Sequence, residues 1–441
     1  MSHSNRVNSK EDVEAEAYWP KNGIDVLDPT LMRENYYHGL LPREDILEML
    51  KENGDFLLRL SEPEPDKPRQ LILSAMQDKE EGTDGIRHFV IAKTDDGFVL
   101  DNNNPFPTVP EMIKFFIIKK INISERFPLR LVSPQLRKPW QLNHTDIVPG
   151  KKLGEGQFGE VLEGKLIKNG KKIPVAIKVT KTESMTKEQI KELMSEARIM
   201  RSLHHPHVVR FYGVGAFQEP LLVIMELVDE GALDAILKKK SLDVHTKSKY
   251  CLHASYGITY LHGKNLLHRD IAARNCLVGG GKLKMSDFGM TRRTKVYRMD
   301  RKKKIPLRWA APEALKTGRY TAECDVYSWG VLCWEIFSDG QEPYGDTTMQ
   351  EIGRKIKNGE QLIFPPSAPK FLVRLIIQRV WCSAEHRYMQ SEVTKQLEKL
   401  MPMLATSALT TLENEEPGTE GRSGKERPRT KNKKKNTITQ G

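Results

Sequence analysis

The chain has 441 residues, 38% hydrophobic and 29% charged, with a formal net charge of +12. That balance fits three domains or fewer and excludes a wholly disordered chain. No apolar run reaches the about 18 residues that cross a bilayer, and the strongest, "PLLVIMELV" at 220–228, is interrupted by Glu226. The excess of positive charge is patchy: "RMDRKKK" at 298–304, and eight Lys and Arg between Arg422 and Lys435. Neither patch interleaves aromatic residues as a single-strand platform does, so nucleic acid is not an expected partner. Cys251, Cys276, Cys324, Cys333 and Cys382 lie in the second half without CxxC spacing. A disulfide or zinc framework is therefore not expected, and a reducing, cytoplasmic setting fits. The first residues hold no apolar secretory core, and Ser2 stands where myristoylation needs glycine.

In chain order, residues 1–33 are polar and read as a flexible N-terminal arm. Residues 34–132 alternate short β-like runs ("DFLLRL", "QLILSAM", "RHFVIAK", "GFVL") with two amphipathic stretches, "REDILEMLKE" and "VPEMIKFFIIKK". This predicts a compact α+β domain, a sheet flanked by two helices. Arg59 falls at the centre of the first strand, in an otherwise apolar run. A buried arginine without a partner is costly. No carboxylate occupies the neighbouring inward positions, so an anionic ligand is the expected partner. Residues 133–146, opening with "SPQLRKP", read as a linker. Residues 147–404 carry β-rich segments and then long helical ones, the larger domain. Residues 405–441 are almost free of apolar side chains and are expected to form a disordered basic tail. Its ordinary role is solubility; such a run gains about 1 kcal/mol per residue at an anionic lipid surface, so peripheral membrane association is a second reading, and a nuclear-import signal an equal third.

The larger domain holds an ordered set of chemistry-bearing pieces. In "LGEGQFGEV" (153–161), Gly154, Gly156 and Gly159 leave backbone amides open to close approach by phosphate oxygens. "VAIK" then places Lys178 on a strand, where it can grip α- and β-phosphates while Glu196, in the helical "EQIKELMSEARIM", holds it in place. "HRDIAARN" supplies Asp270 and, five residues on, Asn275; "SDFGM" supplies Asp287. A carboxylate and an amide are hard oxygen ligands suited to magnesium, which carries phosphate charge. "APE" at 311–313 completes the series.

With these pieces in this order, residues 147–404 resemble a eukaryotic protein kinase. The resemblance implies a bilobal fold, ATP as phosphoryl donor, and magnesium (or manganese) held by Asn275 and Asp287. It makes Asp270 the base and places Leu153, Gly154, Glu155, Gly156, Gln157, Phe158, Gly159, Val161, Ala176 and Lys178 around the nucleotide. Met225 matches the gatekeeper, with Glu226 and Val228 meeting the adenine. "CDVYSWGVLCWEIF" matches the helix that anchors the catalytic loop through Asp325, and Arg387 matches the arginine paired with Glu313. Tyr388 stands where the family usually has proline. Serine/threonine kinases carry a lysine two residues after the catalytic aspartate; here that residue is Ala272, and the cation is Arg274. "HRDIAARN" and "PLRW" (306–309) thus resemble a tyrosine kinase, implying tyrosine-containing proteins as substrates. Tyr297, the one tyrosine of the activation segment 287–313, is the expected autophosphorylation site. Its phosphate would pair with Arg269 and nearby cations.

Residues 34–132 resemble a Src-homology-2 domain, a central antiparallel sheet flanked by two helices that binds phosphotyrosine proteins. By that resemblance Arg59 forks onto the phosphate, Arg43 approaches from the side, Ser61 adds a hydrogen bond and His88 completes the pocket. The departures are Leu60, Tyr36 and Val90, in place of a glutamate, a tryptophan and a lysine. Phe89 resembles domains that prefer an acidic residue after the phosphotyrosine. "KPWQLNHTDIVPGKKLGEGQFGEV" (138–161), "EARIM" and "LVIMELV" resemble the Fes/Fer cytoplasmic, non-receptor tyrosine kinases. With about 33 residues before the reader domain, their membrane-curving F-BAR region is not expected here. The resemblance further implies that the reader packs on the smaller kinase lobe and supports the Lys178–Glu196 pair.

Overall fold

The structure, a computed structural model, describes residues 28, 30–62, 69–101, 104–156, 159–180, 185–300 and 305–413. Most of the N-terminal arm, Gln157, Phe158, the lysines at 302–304 and the tail beyond 413 lie outside the described residues.

The smaller unit begins with helix α1 (Arg43–Ile46), far shorter than its amphipathic stretch predicts. The Asp55 carboxylate explains the early stop: it accepts from the Lys51 and Glu52 amides, both at 2.9 Å, and turns the chain into the first strand. Strands β1 (Asp55–Ser61), β2 (Gln70–Met76), β3 (Ile86–Thr94) and β4 (Gly97–Leu100) pair antiparallel in the order 4-3-2-1. Helix α2 (Val109–Lys119) starts where the Thr108 side chain accepts from the Glu111 amide, and ends at Lys120 with φ 53°. Its apolar face, Val109, Met112, Ile113 and Phe116, is buried against Phe56, Leu58, Leu73 and Phe98 of the sheet.

Residues 133–146 join the two units and pack against both. Ser133–Pro134, strand β5, adds in parallel to β1. Arg137 donates to the Tyr37 and Met32 carbonyls at 3.0 and 2.9 Å, and its guanidinium lies 3.9 Å over the Phe217 ring. Gln141 and Leu142 are buried, and the Leu142 amide donates to Val214 O at 2.8 Å. The Arg137 side chain is taken up by carbonyls of the smaller unit, and the Leu142 backbone amide by one of the larger unit.

In the larger unit, β6 (Ile147–Gly156), β7 (Gly159–Lys168), β8 (Lys171–Thr180), β9 (Phe211–Gly215) and β10 (Leu222–Glu226) form one sheet in the order 6-7-8-10-9. Helix α3 (Lys187–Met200) opens with a reciprocal capping box between Thr186 and Gln189. The second lobe is helical, built on α4 (Val244–Gly263), α5 (Ala322–Phe337) and α6 (Gln390–Glu413), the last running past the expected boundary at 404. Trp329 and Phe337 of α5 sit at the centre of its core. Between α4 and α5 lie β11 (Cys276–Gly279), paired with β12 (Lys282–Met285), and β13 (Tyr297–Arg298), paired with β14 (Arg319–Tyr320). All five cysteines are free thiols, and no described helix is long and apolar enough to cross a membrane.

Candidate active site and phosphate pocket

The catalytic loop hangs from one carboxylate. Asp325, fully buried at the start of α5, accepts four hydrogen bonds. They come from the Arg269 amide (2.9 Å), Tyr320 Oη (2.8 Å), the His268 amide (2.8 Å) and His262 Nε2 (3.0 Å). Burial alone would raise its pKa, but the bonds and charges of His262, His268 and Arg269 outweigh it and hold the carboxyl below the usual range. Clamped there, Arg269 takes φ 71°, and Asp270 follows it half-buried.

Asp270 pairs with Arg274, whose guanidinium lies 4.1 Å over the Trp309 ring. Asn275 Nδ2 donates to Asp270 O at 2.8 Å, which leaves its amide oxygen as an acceptor. Asp287 is exposed at φ 56°, and Phe288 beside it is fully buried against Met200 of α3. Among the described residues no group of three or more His, Cys, Asp or Glu could hold a metal. The donor set is one amide and one carboxylate, which fits a hard cation that keeps water and phosphate oxygens as its other ligands.

Across the cleft, Lys178 Nζ lies 2.9 and 3.1 Å from the two Glu196 oxygens. Burial pushes the Glu196 carboxyl up, against the pull of Lys178. Leu153, Gly154, Glu155, Gly156, Gly159 and Val161 lie on the β6–β7 hairpin, in register so that Val161 faces Lys178. Gly159, at φ 149°, could carry no side chain: a Cβ would stand 1.8 Å from Val179 O. Met225 pairs with Ala176 across β10 and β8. The Glu226 amide is used by Arg210 O at 2.8 Å, and Val228 follows half-buried.

Within the activation segment, β13, which carries Tyr297, pairs with β14, and the Arg269 guanidinium lies 3.6 Å over the Tyr297 ring. Arg387 donates to both Glu313 oxygens and to Val380, Glu323 and Cys382 carbonyls. The Tyr388 amide, absent from the proline usual there, donates to Arg379 O at 2.9 Å, so the departure adds a bond.

Glu335 was not foreseen from sequence. Buried on α5, it accepts from the Ala273 amide at 3.0 Å and Trp309 Nε1 at 2.9 Å, tying the catalytic loop to the shelf beneath Arg274. Burial pushes its carboxyl up from 4.5 to about 7, opposed by those two donors. The folded chain therefore holds this proton more tightly than the unfolded one. The resulting stability is complete below the unfolded value and is lost as pH rises through the folded one. Glu335→Gln, which keeps an accepting oxygen, should flatten that decline by on the order of 1–3 kcal/mol, read from urea melts between about pH 5 and pH 8.

In the smaller unit Arg59 is 2% exposed, and among the described residues its hydrogen-bond partners are neutral: Ser74 Oγ at 3.2 Å and Leu41 O at 3.5 Å. Burial, then Arg43, lowers it to about 10. His88 Nδ1 lies 2.9 Å from Ser74 Oγ, and burial with Arg59 and Arg43 nearby lowers its pKa to about 3. Neutral His88 thus holds Ser74, which holds Arg59. Arg43 and Ser61 line the same cavity. Ser74 was missed in sequence; the signal was one hydroxyl at a buried position of "QLILSAM".

Residues 147–397 match the family model described as protein tyrosine and serine/threonine kinase, and residues 36–116 match the SH2 domain. Fer-related kinase 1 of Caenorhabditis elegans is 37% identical over 351 residues, covering 78% of this chain and 88% of its own length. The chain belongs to the Fer-related branch of the protein kinase family. Human tyrosine-protein kinase Fer is 36% identical over 380 residues, 85% of this chain, and the chain spans 45% of Fer's length. The Fps transforming protein of avian sarcoma virus (strain PRCII) is 37% identical over 357 residues, 80% of this chain and 64% of its own length.

In this SH2–kinase chain the two units share an interface around α3. Asp45 of α1, 3% exposed, accepts from Arg198 Nε at 3.1 Å and Nη2 at 2.9 Å, and Glu48 pairs with Arg201 at 3.0 Å. Leu40, Leu41 and Ile46 join Ile190, Leu193, Met194 and Ala197 in one buried cluster. Gly39, at φ 61°, lets the backbones touch: a Cβ there would stand 2.1 Å from Ala216 O. Glu196 and Arg198 lie on the same helix, so the reader contacts the element that carries the partner of Lys178.

Proposed function

We propose that the chain is an ATP-dependent, non-receptor protein-tyrosine kinase, targeted through its SH2 domain in intracellular signalling. The observation that carries the reading is the pair Asp270–Arg274 stacked on Trp309, with Ala272 where a serine/threonine kinase has lysine. A phenol holds its oxygen far from its backbone, and this arrangement leaves room for the ring.

Asp270 accepts the proton of the tyrosine hydroxyl as that oxygen attacks the γ-phosphorus in line. Arg274 holds the Asp270 carboxylate in place and adds positive charge beside the transferring group. Lys178, fixed by Glu196, grips the α- and β-phosphates, and the β6–β7 hairpin covers them. Asn275 and Asp287 would hold magnesium, which neutralises phosphate charge when bound. Met225, Glu226 and Val228 line the adenine end. Tyr297 phosphorylation would exchange its stack on Arg269 for an ion pair. Purified chain given ATP and magnesium should phosphorylate a tyrosine peptide and not its serine or threonine equivalents; modification of the serine peptide would overturn the assignment.

On the SH2 side, Arg59 and Arg43 bind phosphotyrosine, with Ser61 at the rim and His88 acting through Ser74. Arg59→Ala should weaken phosphopeptide binding by at least about tenfold, read by calorimetry. The free cysteines support a cytoplasmic setting; the basic run 422–435 serves solubility first, with anionic lipid at the cytoplasmic face of a membrane as its second reading.

A further inference from the structure

The phosphotyrosine pocket does not belong to the SH2 domain alone. Its cavity, about 230 Å³, is lined by Arg43, Glu44, Arg59 and Ser61 of the reader and also by Lys187 and Lys191 of kinase helix α3. Lys191 Nζ pairs with Glu44 at 2.5 Å across the interface. Both side chains of that pair are exposed, 61% and 36%, so the pair contributes little and its lysine is free to shift. Glu44, in turn, is a carboxylate at the rim of a site that would receive a dianion. Some cation must offset it there, and among the described residues Lys191 is the one paired with it. A lysine stem is long and flexible enough to leave a carboxylate for a phosphate of charge about −1.5 to −2. Arg59 is held from behind by Ser74 and pairs with no carboxylate among the described residues.

We propose that Lys187 and Lys191 complete the phosphotyrosine site, so that a bound phosphate is gripped from both domains at once. This rests on the phosphotyrosine reading of the Arg59 pocket and adds ligands from the kinase lobe. A bound phosphotyrosine then bridges α1 and α3, and binding and docking reinforce each other through the same contacts.

The test uses the full chain, with phenyl phosphate and a phosphotyrosine peptide bearing acidic residues after the phosphotyrosine, by calorimetry. Lys187→Ala/Lys191→Ala should weaken both probes by about tenfold, with less salt dependence and an unchanged melting temperature. The triple variant that adds Glu44→Gln should keep that loss. If Glu44→Gln restored wild-type affinity, the lysines would only screen Glu44, and the proposal would fall. It would fall equally if the double variant bound as wild type while Arg59→Ala did not bind, the phosphotyrosine pocket itself standing. Wild-type binding by Arg59→Ala would remove the pocket reading and the shared site with it.

Discussion

Replacing Asp270 with asparagine should lower turnover on a tyrosine peptide by about 10²–10⁴-fold while leaving the melting temperature and nucleotide affinity unchanged. The side chain supports little of the fold: its partner is Arg274 on the same loop, and the loop itself hangs from Asp325. Asparagine keeps the shape and the contact to Arg274 but cannot accept the phenol proton. Steady-state kinetics with a fixed tyrosine peptide read the effect as a fall in kcat with KM little changed. Turnover within a factor of about three of wild type would remove Asp270 from its role.

The second large effect is expected at the domain boundary. Asp45→Lys should uncouple the reader from α3 and reduce catalytic activity, although residue 45 touches no part of the cleft. The Asp45 side chain is 1% exposed, and Arg198 keeps 25% of its side chain in water. Breaking a buried pair costs about 3–5 kcal/mol, and the partial exposure of Arg198 places this one at the low end. That is enough to shift the docked population by roughly a hundredfold. A lysine there also meets Arg198 and Arg201 as like charges. Amide exchange over 187–200 should quicken in the variant, and Arg198→Asp in the same chain should restore part of the activity. Unchanged exchange and turnover would show that α3 stands without the reader.

The candidate catalytic site was legible as a cluster because its residues come in contiguous runs whose spacing is itself the geometry. Asp270 and Asn275 share one loop, and Asp287 and Phe288 one turn. Arg59 was legible for the opposite reason, as a charge where a strand pattern demands an apolar side chain. What escaped depends on partners remote in the chain. Nothing near Glu335 reveals that Trp309 and Ala273 will turn toward it. Asp55 shortens α1 by bonding amides that an amphipathic pattern assigns to helix. Residues 133–146 look like a linker because their polarity is visible in sequence, whereas the carbonyls of Tyr37, Met32 and Val214 that absorb it are not.

The cluster that joins Leu40, Leu41 and Ile46 to Ile190, Leu193 and Met194 has a practical consequence for anyone cutting the gene in two. A catalytic fragment made without its reader would present that oily patch bare to solvent and would tend to self-associate. Nor could an unrelated reader be grafted on as an interchangeable bead, since the incoming module would need to bring a matching greasy face and a glycine at the seam.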